Sequence, residues 1–307
     1  MKNSLLLVVF LSLAGCALAQ DPMIAYAVRG SVTATYKKES SMVKIGRVLL
    51  PGTVLTIGKD GAVTLLCKKG RQFLINKEGT VPVWRYKDSC KYTEKNITAD
   101  YLSYIWGQFY EYSAENRKEK KENLLAVSRS PGNENKRKHD PNRLLIEFNK
   151  GMDTVIYSSK DFSLGWNCFD YDGAYVFRLY DENGLRQLFI DTTEDNFVLI
   201  SKLGNFLKEG SVYKWNVSAP HAAITRKRVL KFLPQSVIDN YIRLVQAELI
   251  PNENEASKYF RIAYALEQQH YLADALEYFT MANKADPSIH IFRDKLVQFR
   301  NEFWVQN

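Results

Sequence analysis

Residues 257–287, SKYFRIAYALEQQHYLADALEYFTMANKADP, constrain the fold of this chain more than any other stretch. Tyr259, Ile262, Ala263 and Leu266 recur at helical spacing, Ala275, Phe279 and Ala282 do so again after a short break, and Pro287 closes the run. The pattern predicts two helices packed on each other. Small side chains at 263, 275 and 282 let the backbones approach, and the larger ones fill the gaps beside them. Leu233-Pro234 and Ser236 open a preceding helix with Val237, Ile238, Tyr241, Leu244 and Val245 on a face, and Ile291, Leu296, Phe299 and Phe303 mark a last one. Residues 233–307 are therefore expected to be helical throughout.

Upstream the period changes. Residues 22–95 hold short apolar runs broken by Pro51-Gly52, Lys59-Asp60-Gly61 and Lys69-Gly70, the punctuation of an all-β sandwich or barrel. Residues 98–142 begin with an amphipathic helix, on which Leu102, Ile105, Trp106 and Phe109 form one stripe and Thr98 or Asp100 would cap the start. A basic linker with the composition of a solvated loop follows it. Residues 143–219 return to period two, with six strand candidates and a hairpin that reverses at residues 181–184. Trp166, Tyr213 and Trp215 can face one core there. The fold class expected is multidomain α and β: two all-β, sandwich- or barrel-like domains followed by a helical hairpin bundle.

Three families resemble these stretches. Arg29-Gly30-Ser31-Val32, Ile45-Gly46-Arg47-Val48-Leu49, Pro51-Gly52 and Gly61-Ala62-Val63-Thr64-Leu65 resemble the periplasmic FecR-type domain, which implies a β-fold. Signalling members of that family also carry an inner-membrane helix and a cytoplasmic tail that contacts a sigma factor. No stretch after the first twenty residues approaches the ~18 apolar residues of a membrane helix, so a transcriptional role is not expected. Residues 143–219, with an early Trp166 and a late Tyr213-x-Trp215-x-Val217, resemble immunoglobulin-like or fibronectin-type sandwiches, without the cysteine pair of antibody domains. Tyr259, Ile262, Ala263, Leu266, Ala275, Phe279, Ala282 and Pro287 match the spacing of a single tetratricopeptide repeat.

The front of the chain bears on compartment. MKNSLLLVVFLSLAGCALAQ has an early lysine, an apolar core and then small residues, the layout of a secretory signal over residues 1–19. Cleavage after Ala19 would release a soluble protein, whereas Leu13-Ala14-Gly15-Cys16 resembles the bacterial lipobox and would leave Cys16 lipidated and the protein membrane-associated. The expected location is exported: periplasmic or outer-membrane associated in a Gram-negative bacterium, or secreted. There the net charge of +8 does not point to nucleic acid. An oxidising compartment permits a Cys67–Cys90 disulfide; the other reading makes Cys67 a small buried apolar residue. Cys168 is expected to be packed rather than reactive.

Reaction chemistry is sparse. His139, His221, His270 and His290 are scattered, and no metalloprotease, nucleophile-elbow or phosphate-loop motif occurs. Asp170, Asp172 and Asp181 read as turn residues because their spacing does not reproduce a calcium loop. No catalytic residue, metal or cofactor is expected. Two functions of different kinds remain. One is a non-enzymatic envelope scaffold that binds one or more proteins through its helices. The other is a cell-wall or glycan-binding module that uses Trp84, Tyr86 and the tyrosines at 101, 104, 110 and 112, assisted by the basic linker.

Overall fold

The protein is a mixture of β-sheet and α-helix, seen here in a computed structural model. The structure describes residues 21–91, 96–113, 145–148, 150–158, 160–168, 171–220, 222 and 225–303. The expected signal segment with Cys16, nearly all of the expected basic linker, Asp170, His139 and His221 lie outside the described residues. Two compact units are present. One combines residues 21–91 with Leu102–Tyr110, and the other Asn96–Tyr101 with the described residues from Glu111 onward. No helix among the described residues is long and apolar enough to cross a membrane.

In the first unit eight strands form two four-stranded sheets. They are β1 (Met23–Arg29), β2 (Val32–Tyr36), β3 (Glu39–Met42), β4 (Val48–Leu49), β5 (Val54–Ile57), β6 (Ala62–Leu66), β7 (Gln72–Ile75) and β8 (Gly79–Pro82). Their orders are β4-β1-β6-β7 and β3-β2-β5-β8, with every pair antiparallel. Alternate side chains, among them Met23, Ala25, Val32, Ala34, Leu55, Ile57, Val63 and Leu65, meet in one apolar core. Every residue of β6 is buried, so this strand is covered on both faces. The helix α1 (Ile97–Glu111) joins this unit through Leu102–Tyr110. Its Trp106 ring nitrogen donates to the Pro22 carbonyl at 3.3 Å, and the Phe109 ring rests against Gly46. At Gly46 φ is +82°, and an added Cβ would enter the ring, so the position excludes any side chain. Cys67 and Cys90 form a disulfide that ties the end of β6 to the 3-10 turn Asp88–Lys91.

The expected stripe of α1 is buried, but its cap differs. Asn96 accepts a hydrogen bond from the Ala99 amide at 2.7 Å, while the Thr98 hydroxyl bonds Glu248 instead.

The second unit is built on a five-stranded sheet. Its strands are β10 (Thr154–Tyr157), β13 (Tyr175–Tyr180), β14 (Gln187–Thr193), β16 (Ser211–Ser218) and β17 (Arg228–Phe232), in the order β10-β17-β16-β13-β14. Two small antiparallel sheets join β9 (Ile146–Glu147) with β12 (Asn167–Cys168) and β11 (Ser163–Gly165) with β15 (Phe197–Leu199). The β13–β14 hairpin turns at residues 181–184, where Asp181 accepts from the Leu185 amide and Gly184 takes a φ of +75°. Trp166, Phe177 and Trp215 are buried and stack in series.

The sheet departs from the sequence reading in two respects. The segment RVLKF, beyond the residue 219 boundary, is a strand lying between β10 and β16. It pairs with β10 in parallel, whereas an immunoglobulin-like sandwich would pair its strands antiparallel. Four helices complete the unit: α2 (Gln235–Ala247), α3 (Glu255–Gln268), α4 (Leu272–Ala285) and α5 (His290–Phe303).

Candidate protein-contact surface

The helical surface is set by how α3 and α4 pack. Asn254 caps α3 by accepting from the Ser257 amide at 2.8 Å. Ile262, Ala263, Leu266, Ala275, Phe279 and Ala282 are all buried, Tyr259 is partly so, and Pro287 is exposed just past the end of α4. The Tyr259 hydroxyl donates to Glu255, and its ring packs on Tyr278. Phe279 is the hub: its ring meets Phe260 at 5.3 Å and Phe299 of α5 at 5.4 Å. Phe292, which the periodicity of α5 did not single out, is also buried and stacks on Phe260 at 4.5 Å.

A buried cation links α2 to α3. Arg261 is about 1% exposed; its guanidinium donates to the Glu253 carboxylate at 2.8 Å and to the Val245 carbonyl, in the last turn of α2, at 2.6 Å. A positive charge there also complements the dipole at that helix end. Lys295 reaches Glu267 at 2.8 Å in a second, largely buried pair. Burial raises the Glu267 carboxyl above its ordinary range, and Lys295 draws it partway back.

The helices are also bolted to the sheet. The Ile156 amide on edge strand β10 donates to the carbonyl of His270, which sits in the α3–α4 turn at a φ of +62°. The Leu233 amide donates to the Tyr157 carbonyl at 2.9 Å, Ser158 to Gln235 at 2.6 Å, and Ser163 to the Phe303 carbonyl at 2.8 Å. Lys160 pairs with Asp274 at 2.5 Å and with Glu277. Burial disfavours the Lys160 ammonium, but its bonds to the two carboxylates outweigh that and raise its pKa above the ordinary lysine value.

What this frame leaves open is the outer side of α2. The face read from the sequence is corrected here: Ile238, Ile242 and Val245 are buried with Tyr241 beside them, while Val237 and Leu244 point outward. At 3.6 residues per turn, 238, 242 and 245 form one stripe and 237 and 244, seven apart, form another. Leu244 is 69% exposed, and Leu249 in the following loop 86%.

Two open clefts also lie in this unit. One of about 690 Å³ is lined by Glu147, Phe148, Asp294, Val297 and Glu302, and another of about 630 Å³ by Lys160, Leu276, Glu277, Met281 and Lys284. Neither lining contains a histidine or cysteine. Cys168 is buried beside Tyr175. His270 and His290 stay apart, in the α3–α4 turn and at the start of α5.

The aromatics considered for sugar stacking scatter. Trp84 is 53% exposed on the 3-10 turn Val83–Tyr86. Tyr86 packs on Phe73, Tyr101 is buried against Tyr264, Tyr110 stacks on Trp106 and Tyr112 meets His290. Tyr104 is partly buried.

No family model matches the chain, and no curated protein matches it. Among solved structures, a cell surface anchoring domain is similar over 25% of this chain and 97% of its own length, at 22% identity and a TM-score of 0.21. A likeness that slight carries no argument about function.

Proposed function

We propose that this chain is a non-enzymatic, exported envelope scaffold that binds a protein partner through its tetratricopeptide-like helical end. The observation that carries the reading is the outward side of α2 and the loop after it, where Leu244 and Leu249 stand exposed beside helices held in place by the Arg261 strut and the β10 contacts. Helical hairpins of this kind present rigid faces to other proteins. Exposed leucines on such a face gain from being covered, at roughly 25 cal/mol per Å² of apolar surface removed from water.

The test is a photocrosslinking residue at position 244 of the exported protein, compared with one at Trp84. A defined envelope protein joined at 244, and lost in Leu249→Glu, is the expected result. Removing the helices is a poor test, because β10 leans on their α3–α4 turn and would be stripped of it. A second reading, glycan binding, rests on the exposure of Trp84 alone among the six aromatics. Retention on cell-wall material that disappears in Trp84→Ala would favour it over the scaffold.

A further inference from the structure

Charge is unevenly divided along this chain. Residues 21–91, the strands of the first unit and their turns, hold nine lysines and four arginines against five acids. That excess equals the whole formal charge of +8, and acids and bases balance over the rest of the chain. Within the unit the topology gathers the excess at one end. Tyr36 pairs with Glu39, so Lys37 and Lys38 are the two-residue turn between β2 and β3. Thr35 pairs with Val54, and Val54 with Pro82, so this turn lies at the same end of its sheet as the 3-10 turns that follow β8. The Cys67–Cys90 disulfide then fastens the β6–β7 turn of the other sheet against those 3-10 turns.

Lys68, Lys69 and Arg71 on the β6–β7 turn, and Arg85, Lys87 and Lys91 on the 3-10 turns, thus join the Lys37-Lys38 turn. Arg71 is partly buried and the others are exposed. Asp21 answers Lys68 at 3.4 Å and Asp88 answers Lys91 at 2.8 Å. At the opposite end, where Val32 pairs with Ile57 and Ile57 with Gly79, the turns carry Lys59 and Lys77 beside Asp60 and Glu78, and the signs cancel.

Two further features set the basic end apart from an ordinary solvated one. Lys37 and Lys38 have φ of +46° and +72°, a turn conformation that asparagine and glycine adopt most easily, so these charges are held there at a local backbone cost. Trp84, next to Arg85, is 53% exposed, and an indole is at home where an apolar layer meets a wet one. Tyr36 lies under Lys37 and Tyr86 packs on Phe73. These aromatics therefore make no row of open rings on which successive nucleic-acid bases could stack. Both clefts described above belong to the other unit. Ammonium groups spread over several turns suit a surface of fixed negative charge better than a small enclosed anion.

We infer that this end of the first unit is a seat for an anionic phospholipid bilayer, with the three basic turns facing the phosphates and Trp84 entering the headgroup layer. Basic residues near such a surface add their attractions, and the effect fades within about a Debye length. The inference does not depend on the face of α2, which belongs to the other unit.

Flotation with vesicles tests this, using the chain from Gln20 so that a lipid on Cys16 contributes nothing. Vesicles of mixed phosphatidylcholine and phosphatidylglycerol should bind it, phosphatidylcholine alone should not, and salt should release it. Lys37→Gln combined with Lys69→Gln should lower the partition coefficient about thirtyfold, at roughly fivefold per basic residue near the surface. Lys59→Gln combined with Lys77→Gln removes the same charge from the opposite end and should lower it less than about twofold. All of these lysines are exposed, and an unchanged circular dichroism spectrum verifies the fold. As a second readout, the emission of Trp84, taken as the difference between the protein and Trp84→Phe, should move to shorter wavelength when anionic vesicles are added. Equal losses for the two lysine pairs would reduce the binding to net charge and overturn the inference. So would no binding at low salt, equal binding to neutral vesicles, or a Trp84 emission that does not move. An acidic polysaccharide or a single-stranded oligonucleotide that binds through the same lysines while the vesicles do not would replace the bilayer as the occupant and also refute it.

Discussion

Replacing Arg261 by methionine should cost this protein a large share of its stability. The methionine keeps most of the volume of the aliphatic stem, so the loss is mainly electrostatic. The change takes the guanidinium away from the Glu253 carboxylate, whose side chain is 6% exposed, and deprives the Val245 carbonyl of its donor at the end of α2. Breaking a buried ion pair by removing one partner costs about 3–5 kcal/mol, against the ~5–15 kcal/mol that holds a typical domain folded. If Glu253 is replaced as well, by leucine, the carboxylate that the guanidinium answered is removed with it. Most of the loss should then return, leaving roughly 1 kcal/mol for the unanswered carbonyl.

Urea unfolding of the single and double variants, followed by far-ultraviolet dichroism and tryptophan emission, measures both quantities. Their difference is the coupling between the two residues, which touch and so should not be additive. A single variant that loses less than about 1 kcal/mol, or a double variant as unstable as the single, would refute the reasoning. The first result would mean that α2 is held to α3 by apolar packing alone, and the second that the loss does not arise from the Glu253 carboxylate.

Other consequences follow from the same frame. Opening the Cys67–Cys90 bridge with Cys90→Ala releases a loop with a sequence separation of 23. On loop entropy it should cost about 3 kcal/mol, read as a lower denaturation midpoint that added reductant no longer changes. Gly46→Ala should destabilise by roughly 2–3 kcal/mol through its positive φ and the Phe109 ring, while Gly107→Ala in α1, where nothing lies within 4 Å of the added Cβ, should gain up to ~1 kcal/mol. Burial, with the Cys168 thiol next to it, pushes the Tyr175 hydroxyl up from 10.0 to about 12. A raised folded-state value means stability is complete below the unfolded pKa and is lost as pH climbs through the folded one. Tyr175→Phe should therefore flatten the fall in urea midpoint between pH 10 and about 12, and an unaltered slope would count against it.

The local pattern of the chain was easier to read than its long-range pairing, for physical reasons. Leu102, Ile105, Trp106 and Phe109 were legible because helical periodicity depends only on neighbours a turn away. The cap at Asn96 was not, because Thr98 and Asp100 are equally good acceptors in isolation, and the choice rests on where the first turn begins. Strand β17 was hidden by its own charges. Arg228 and Lys231 are half-buried, and Arg228 lies over the Phe148 ring at 3.4 Å, a contact no spacing rule encodes. On α2, five aliphatic residues crowd two and a half turns, and only packing on α3 decides that Ile238, Ile242 and Val245 go inward and Leu244 does not. The candidate surface depended on that last distinction. The clamp of Lys160 on Asp274 spans 114 positions in sequence, beyond the reach of any local signal.

That clamp bears on what the helical end can do. Three or more stacked repeats usually share the cost of ordering an exposed face, and here one hairpin with a flanking helix on each side stands in their place. The sheet supplies the missing support: Ile156, Tyr157, Ser158, Lys160 and Ser163 each bond a residue of the helical region or of the segment leading into it. A face braced in this way meets a partner with little further loss of freedom, which is where preorganisation gains affinity.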